Sequence, residues 1–208
     1  MNPRSTYPIG IAGQAWGLAE QSLWRSKQSK QRSYAKDIVC RLGSLPDGFV
    51  TQHYGSLAYD GEGFELFAVR NAHWRADLPS ALITGGVHGY ETSGVGGALR
   101  FLFSAAPKYA GKMNLLVLPC VSPWAYERIQ RWNFHALDPN RHFREGTPVE
   151  ECAAVMRLIA PWRESLLLHM DLHETTDSDE SEFRPALAAR DGKDFVPFKL
   201  GLLKHRKT

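Results

Sequence analysis

The chain has 208 residues, 43% hydrophobic and 23% charged, with a formal net charge of +3. This fits one globular domain with a sizeable core, and the charge is too small to argue for nucleic acid. Cys40, Cys120 and Cys152 are far apart and read as reduced thiols, no signal peptide is visible, and no apolar stretch approaches the ~20 residues of a membrane span. The expected location is therefore cytoplasmic, with neither a membrane nor nucleic acid as partner.

Residues 1–18 carry Pro and Gly with little periodicity and read as an irregular leader. Over 18–42, Leu23, Tyr34, Ile38, Val39 and Leu42 are spaced for one apolar face, which predicts a helix. Gly43 and Pro46-Asp47-Gly48 end it. Strand patterns cover 49–59 and 64–70, and Asp60-Gly61-Glu62-Gly63 between them predicts a hairpin. A buried strand follows at 81–84, then a glycine-rich turn, then a helix over about 91–103. A short apolar strand at 114–119 completes a strand, helix, strand order, which implies a βαβ unit with parallel pairing.

Residues 120–146 are polar and aromatic without regular periodicity, a long irregular segment of the kind that carries function. Thr147-Pro148-Val149-Glu150 reads as a capping box with proline at the first helical position, opening a helix over 149–159. A third buried strand covers 166–173. After Glu174 the sequence turns acidic and loop-like, with little regular structure expected to Thr208. No repeat or linker divides the chain, so the expectation is a single domain over 1–208. Its core motifs lie in 80–175, its N-terminal helix and hairpin in 18–70, and an irregular tail in 175–208. The fold class is α/β, a mixed, mostly parallel central sheet flanked by helices.

Chemistry gathers where the strands end. His88 and Glu91 sit three apart in the turn Thr84-Gly85-Gly86-Val87-His88-Gly89-Tyr90-Glu91, so an imidazole nitrogen and a carboxylate oxygen can face one small volume. A catalytic zinc usually takes three protein ligands and leaves a position for water. His173 stands at the carboxyl end of the third strand, and open α/β sheets bind ligands at that edge. The topology can therefore bring His88, Glu91 and His173 together. Asp171 shares the strand face of His173 and could serve as an acceptor beside it. On the irregular segment, Arg131, Asn140 and Arg141 could clamp a carboxylate, and an arginine near a metal could stabilise an oxyanion.

These residues carry a resemblance. The stretches Gly86-Val87-His88-Gly89-Tyr90-Glu91, Ser122-Pro123, Arg131-Trp132-Asn133, Asp138-Pro139-Asn140-Arg141-His142-Phe143 and Asp171-Leu172-His173-Glu174, in this order, resemble the zinc carboxypeptidases and their amidase and deacylase relatives. The resemblance implies a zinc carboxypeptidase-like fold and one Zn2+ per chain held by His88, Glu91 and His173. It implies that Arg131 polarises the scissile carbonyl and that Asn140 and Arg141 hold the substrate's carboxylate. The implied substrate is a peptide or an N-acyl amino acid with a free carboxylate, hydrolysed by zinc-activated water. Ser122-Pro123 departs from the more usual Asn-Pro, and Pro139 from a leucine. The family's general base is a glutamate on a late strand, and past Glu182 only Asp191 and Asp194 are acidic. Relative to the family the chain thus reads as C-terminally truncated, and a metal-binding but catalytically silent relative is the alternative. Glu174 adjoins a ligand but should point to the opposite strand face.

Overall fold

The computed structural model describes residues 7–175 and 179–195. β1 (Phe49–Tyr59) and β2 (Glu62–Asn71) pair antiparallel through Asp60-Gly61, whose φ angles of 46° and 84° suit a two-residue hairpin turn with both central residues at positive φ. Such a turn needs no more residues, so Glu62 and Gly63 join the strand instead of the connection. β3 (Ser80–Gly85), β4 (Asn114–Leu118) and β5 (Leu166–Leu172) complete a five-stranded sheet of order β1-β2-β4-β3-β5. β3 runs parallel to both β4 and β5, while β2 pairs antiparallel with β1 and β4. The sheet is mixed and flanked by helices, with its parallel pairs at the βαβ half.

Alternation along the strands sends Leu82, Leu116 and Leu118 to one face, where they join Ala68, Val155 and Leu158 in a buried cluster. Ala81, Ile83, Leu115 and Val117 point the other way and are buried too. Both faces of β3 and β4 are thus covered, which is why these strands read as unbroken apolar runs. Buried Asn114 fastens the start of β4. Its Oδ1 accepts from the Arg75 amide at 3.0 Å and its Nδ2 donates to the Arg75 carbonyl at 2.7 Å.

The helices are α1 (Leu18–Ser26), α2 (Tyr34–Asp37), α3 (Thr92–Ser104), α4 (Pro123–Arg128), α5 (Glu150–Ile159) and α6 (Arg184–Arg190). α3 packs on β3 and β5, and α5 on β1. The helix expected over 18–42 is broken into α1, α2 and a 3-10 turn at Val39–Ser44. Residues 27–33 (Lys-Gln-Ser-Lys-Gln-Arg-Ser) supply no apolar side chain to hold a helix on a core, and Ser33 caps a new start by accepting from the Lys36 amide. In α1 the buried residue is Trp24, while Leu23 is exposed. The expected capping box also fails. Val149 is the N-cap without a side-chain bond, and Thr147 Oγ1 instead accepts from the Val149 amide at 3.2 Å. The segment 120–146 is irregular apart from α4 and a 3-10 turn at Pro139–Arg141.

Residues 27–174 form one compact unit, and the described residues of 1–26 and 175–208 form another. In the terminal unit a π-helical turn at Asp179–Phe183 runs into α6, and Ala15 bridges Asp191. This corrects the expectation of little regular structure after Glu174; the stretch 196–208 lies outside the described residues. Among the described residues no helix is long and apolar enough to cross a membrane.

α3 lies close enough to β5 that a Cβ on Gly94 would fall 2.3 Å from the Leu172 carbonyl oxygen. Backbone cannot yield as a flexible side chain does. Gly94→Ala should therefore destabilise the fold by about 1–3 kcal/mol despite alanine's better helix propensity. A urea titration checks this, and an unchanged or raised midpoint would contradict the packing described here.

Candidate metal centre

β3 ends at Gly85, and Gly86 (φ 60°) turns the chain out of the strand. The loop to α3 is tied down from several sides. The Ser122 amide donates to the Gly86 carbonyl at 2.9 Å, and the Tyr90 amide to the Gln130 carbonyl at 3.1 Å. Arg32 donates to the Gly89 carbonyl at 3.3 Å and to Thr92 Oγ1 at 2.8 Å. Gly89 presses on the chain after β4, where an added Cβ would sit 2.0 Å from the Ala125 carbonyl carbon.

This fixed loop buries His88 and Glu91, and β5 delivers His173 to the same place. Glu91 lies between the two rings. Its Oε1 is 2.8 Å from His88 Nδ1 and its Oε2 is 2.7 Å from His173 Nδ1. The ligand atoms of the three side chains all fall within 4.8 Å of one another. The outer ring nitrogens are also held, His88 Nε2 by Asp138 Oδ1 at 2.9 Å and His173 Nε2 by Asp171 Oδ2 at 2.7 Å. Asp171 in turn accepts from Thr84 Oγ1 at 2.6 Å. The His173 side chain is 31% exposed against 2% for Glu91, so the cluster opens to solvent on the β5 side.

The charges explain how this buried set holds together. Burial pushes the Glu91 carboxyl up, but the His173 and His88 hydrogen bonds outweigh it and bring the group down to about 2. For Asp138 burial likewise opposes, and His88 and Arg131 hold it below the ordinary carboxylate range. Hydrogen bonds to Asp171 and then Glu91 raise His173 to about 10. Burial lowers His88, yet its bonds to Asp138 and Glu91 raise it overall. Anionic oxygens thus face imidazoles drawn toward their cationic form. A divalent cation held by both Nδ1 atoms and Glu91 would take the place of the Nδ1 protons, while Asp138 and Asp171 would keep accepting from Nε2, and carboxylate-held outer nitrogens are the usual support of metal-binding histidines. The donor set, two inward Nδ1 atoms and one carboxylate, fits zinc.

The other residues singled out in the sequence divide. Arg131 comes to the cluster, its Nε donating to Asp138 Oδ2 at 3.1 Å and its Nη1 to the Tyr90 hydroxyl at 3.2 Å. Asn140 approaches through its backbone, whose amide donates to Asp138 Oδ1 at 3.0 Å. Arg141 is exposed on the same 3-10 turn, and among the described residues its guanidinium has no hydrogen-bond or ion-pair partner. Glu174 turns away as alternation requires and accepts from the Ser93 amide and hydroxyl at 3.0 and 2.8 Å.

Three residues had no role assigned from the sequence, although Asp138 and Asn133 stand in the stretches that carry the resemblance. Asp138 joins His88, Arg131 and the Asn140 amide, and apart from its place in that stretch its position before a proline as a turn cap is what signals it. Asn133 shapes the segment, its Oδ1 accepting from the His135 and Leu137 amides at 3.0 and 3.1 Å. Glu151 lies fully buried beneath, 3.4 Å from both Ser122 Oγ and Asn133 Nδ2. Burial pushes its carboxyl up to about 7, against weaker lowering by hydrogen bonds from its own amide, Asn133 and Ser122. Tyr54, Tyr59 and Cys152 around it are also pushed up by burial and stay neutral.

The chain has an α/β fold with a His-Glu-His cluster at the carboxyl edge of its parallel strands, and that fold is similar to those of solved structures described as carboxypeptidases and metallopeptidases. No family profile and no curated protein matches the chain by sequence, and the likeness lies in solved structures. A proposed carboxypeptidase A from Shewanella denitrificans OS-217 superposes with a TM-score of 0.55 at 22% identity, over 69% of this chain and 40% of that one. A proposed metallopeptidase from Shewanella amazonensis SB2B gives 0.52 at 23% identity, over 62% and 50%. Thrombin activatable fibrinolysis inhibitor gives 0.53 at 17% identity, over 86% and 54%. The match thus spans about half or less of the length of each of these structures.

Removing the outer support of His88 should loosen the metal without removing a ligand. Asp138→Ala is expected to weaken zinc binding about 10–100-fold, measured by competition with a chromogenic chelator; unchanged affinity would show that Asp138 does not support the site. Glu151 makes stability depend on pH. Its folded value of about 7 stands above the unfolded 4.5, so its contribution is fully present below pH 4.5 and lost as pH rises through 7. The loss is on the order of a few kcal/mol. Urea midpoints of the wild type should fall between pH 5 and pH 8 by more than those of Glu151→Gln, and parallel falls would sink the assignment.

Proposed function

We propose that the chain is a zinc-dependent hydrolase that cleaves an amide bond next to a free carboxylate, acting as a metallocarboxypeptidase. The observation that carries this reading is the His88, Glu91 and His173 set, with both Nδ1 atoms turned inward and Arg131 alongside. Its position at the carboxyl ends of β3 and β5 is where open α/β sheets bind ligands.

In this reading His88, Glu91 and His173 hold one Zn2+. When bound, zinc supplies Lewis-acid polarisation of a carbonyl and acidifies water for attack near neutral pH. The chain's own groups do the rest. Asp138 and Asp171 fix the ring orientations of the two histidines. Arg131, braced by Asp138 and Tyr90, donates hydrogen bonds to the oxygen on which negative charge develops. Asn140 and the unengaged guanidinium of Arg141 receive the substrate's terminal carboxylate, with the planar fork suited to two parallel bonds. The substrate is a peptide with a free C-terminus, and an N-acyl amino acid presents the same amide and carboxylate, which makes deacylation a close variant.

A second reading has an observation of its own. Asp138, Asp171 and Glu174, the acids nearest the cluster, are all committed to hydrogen bonds with His88, His173 and Ser93. A protein that binds zinc without turnover would look like this. Assays on free-carboxylate and amidated peptides, and on N-acyl amino acids, separate the readings. Turnover confined to free-carboxylate substrates is expected, with Arg141→Ala raising KM about 10–100-fold and changing kcat less. Unchanged kinetics would sink the clamp, and zinc-loaded protein silent on every substrate would establish the second reading.

A further inference from the structure

Away from the metal centre, a groove of about 790 Å³ opens between the loop 144–147, helix α5 and the 3-10 turn Ala160–Ser165. This is within the usual size of a ligand site. Its floor is aliphatic, formed by Ala153, Met156, Ile159 and Ala160. The floor is firm, because α5 rests on the core through Val155 and Leu158, and Ile159 packs against the same cluster.

The rim carries Arg144, Arg157 and Arg163, one from each of the three elements, against a single acid, Glu145. All three arginines are exposed, and among the described residues none has a carboxylate within ion-pair distance. Arg75, Arg128, Arg131, Arg184 and Arg190 each hold an acid, while Arg100 and Arg141 stand without one among the described residues, as these three do; what marks this rim is that three such side chains line one groove. Three guanidiniums therefore converge on one apolar-floored groove with their charge uncompensated.

We infer that this groove binds an acidic polypeptide segment in which carboxylate and aliphatic side chains alternate. An extended chain sends successive side chains to opposite sides, so one set meets the aliphatic floor while the other meets the rim. Guanidinium forks match carboxylates bidentately, and Met156 adapts its shape to different aliphatic partners. Nucleic acid fits less well. No aromatic side chain lines the groove among the described residues, so bases find no stacking platform. The formal net charge of the whole chain is also only +3. The inference does not rest on the hydrolase reading.

The test is fluorescence anisotropy with a labelled peptide alternating Glu and Leu, amidated at its C-terminus so that Asn140 and Arg141 are not engaged. Saturable binding to the wild type is expected, weakened by added salt. The Arg144→Glu, Arg157→Glu, Arg163→Glu variant should bind at least about tenfold more weakly, since each reversal removes an attraction and sets like charges against each other. A milder Arg157→Gln, Arg163→Gln variant with an unchanged urea midpoint should show an intermediate loss. No binding by the wild type, or equal binding by the variants, overturns the inference. So does tighter binding of a single-stranded oligonucleotide of equal charge that the same variants abolish.

Discussion

One carboxylate ties the molecule together. Glu91 meets the Nδ1 atoms of His88 and His173 with separate oxygens, at 2.8 and 2.7 Å, while its side chain is 2% exposed. An unpaired charge at that depth costs several kcal/mol, so it persists only where partners are fixed around it. The rest of the structure supplies that fixity. The parallel register of β3 and β5 sets Thr84 beside Asp171 and brings the two strand ends level. The glycines let backbones approach until α3, β5 and the loop before α4 leave no room for adjustment.

The same constraint extends outward through the imidazole rings. Each histidine presents one nitrogen to Glu91 and the other to an aspartate, so the rings act as spacers between three carboxylates. Asp138 then connects the metal loop to the segment that carries Arg131 and Asn140. Asn133 and buried Glu151 hold that segment from beneath. The proposed metal site and the proposed substrate clamp are therefore mechanically one piece, although they arise from stretches far apart in the chain. This is why the long segment after β4 keeps a defined shape with little regular secondary structure.

Much of this was legible before the structure. The apolar runs that became β3 and β4 are buried on both faces, and continuous hydrophobicity reports that directly. The run expected as a third buried strand became β5, at the end of the strand order, where Leu167, Leu168 and Met170 are exposed, because a strand's place in the sheet is not written in its own hydrophobicity. Parallel pairing followed from the helix between the first two, and it placed His173 on the same sheet edge as His88 and Glu91. The hairpin was legible from Asp60-Gly61. What failed depended on tertiary detail. The spacing of Leu23, Tyr34, Ile38 and Leu42 satisfied a helical period, yet the polar run at 27–33 offered nothing to anchor one. Glu151 was not singled out, since an acid in the first turn of a helix is ordinary, and its burial against Ser122 and Asn133 is something local sequence cannot report. Asp138 carried no periodic signal at all, because its role arises where a turn meets a ring fifty residues away in sequence.

The measurement that tests the account most directly is the zinc content of the purified chain by elemental analysis, for the wild type and for His88→Ala. Circular dichroism would verify that both are folded. The account requires one zinc per wild-type chain and its loss in the folded variant. A folded wild type that holds no zinc after loading, or a variant that keeps its full content, would contradict the claim that His88, Glu91 and His173 form a metal site.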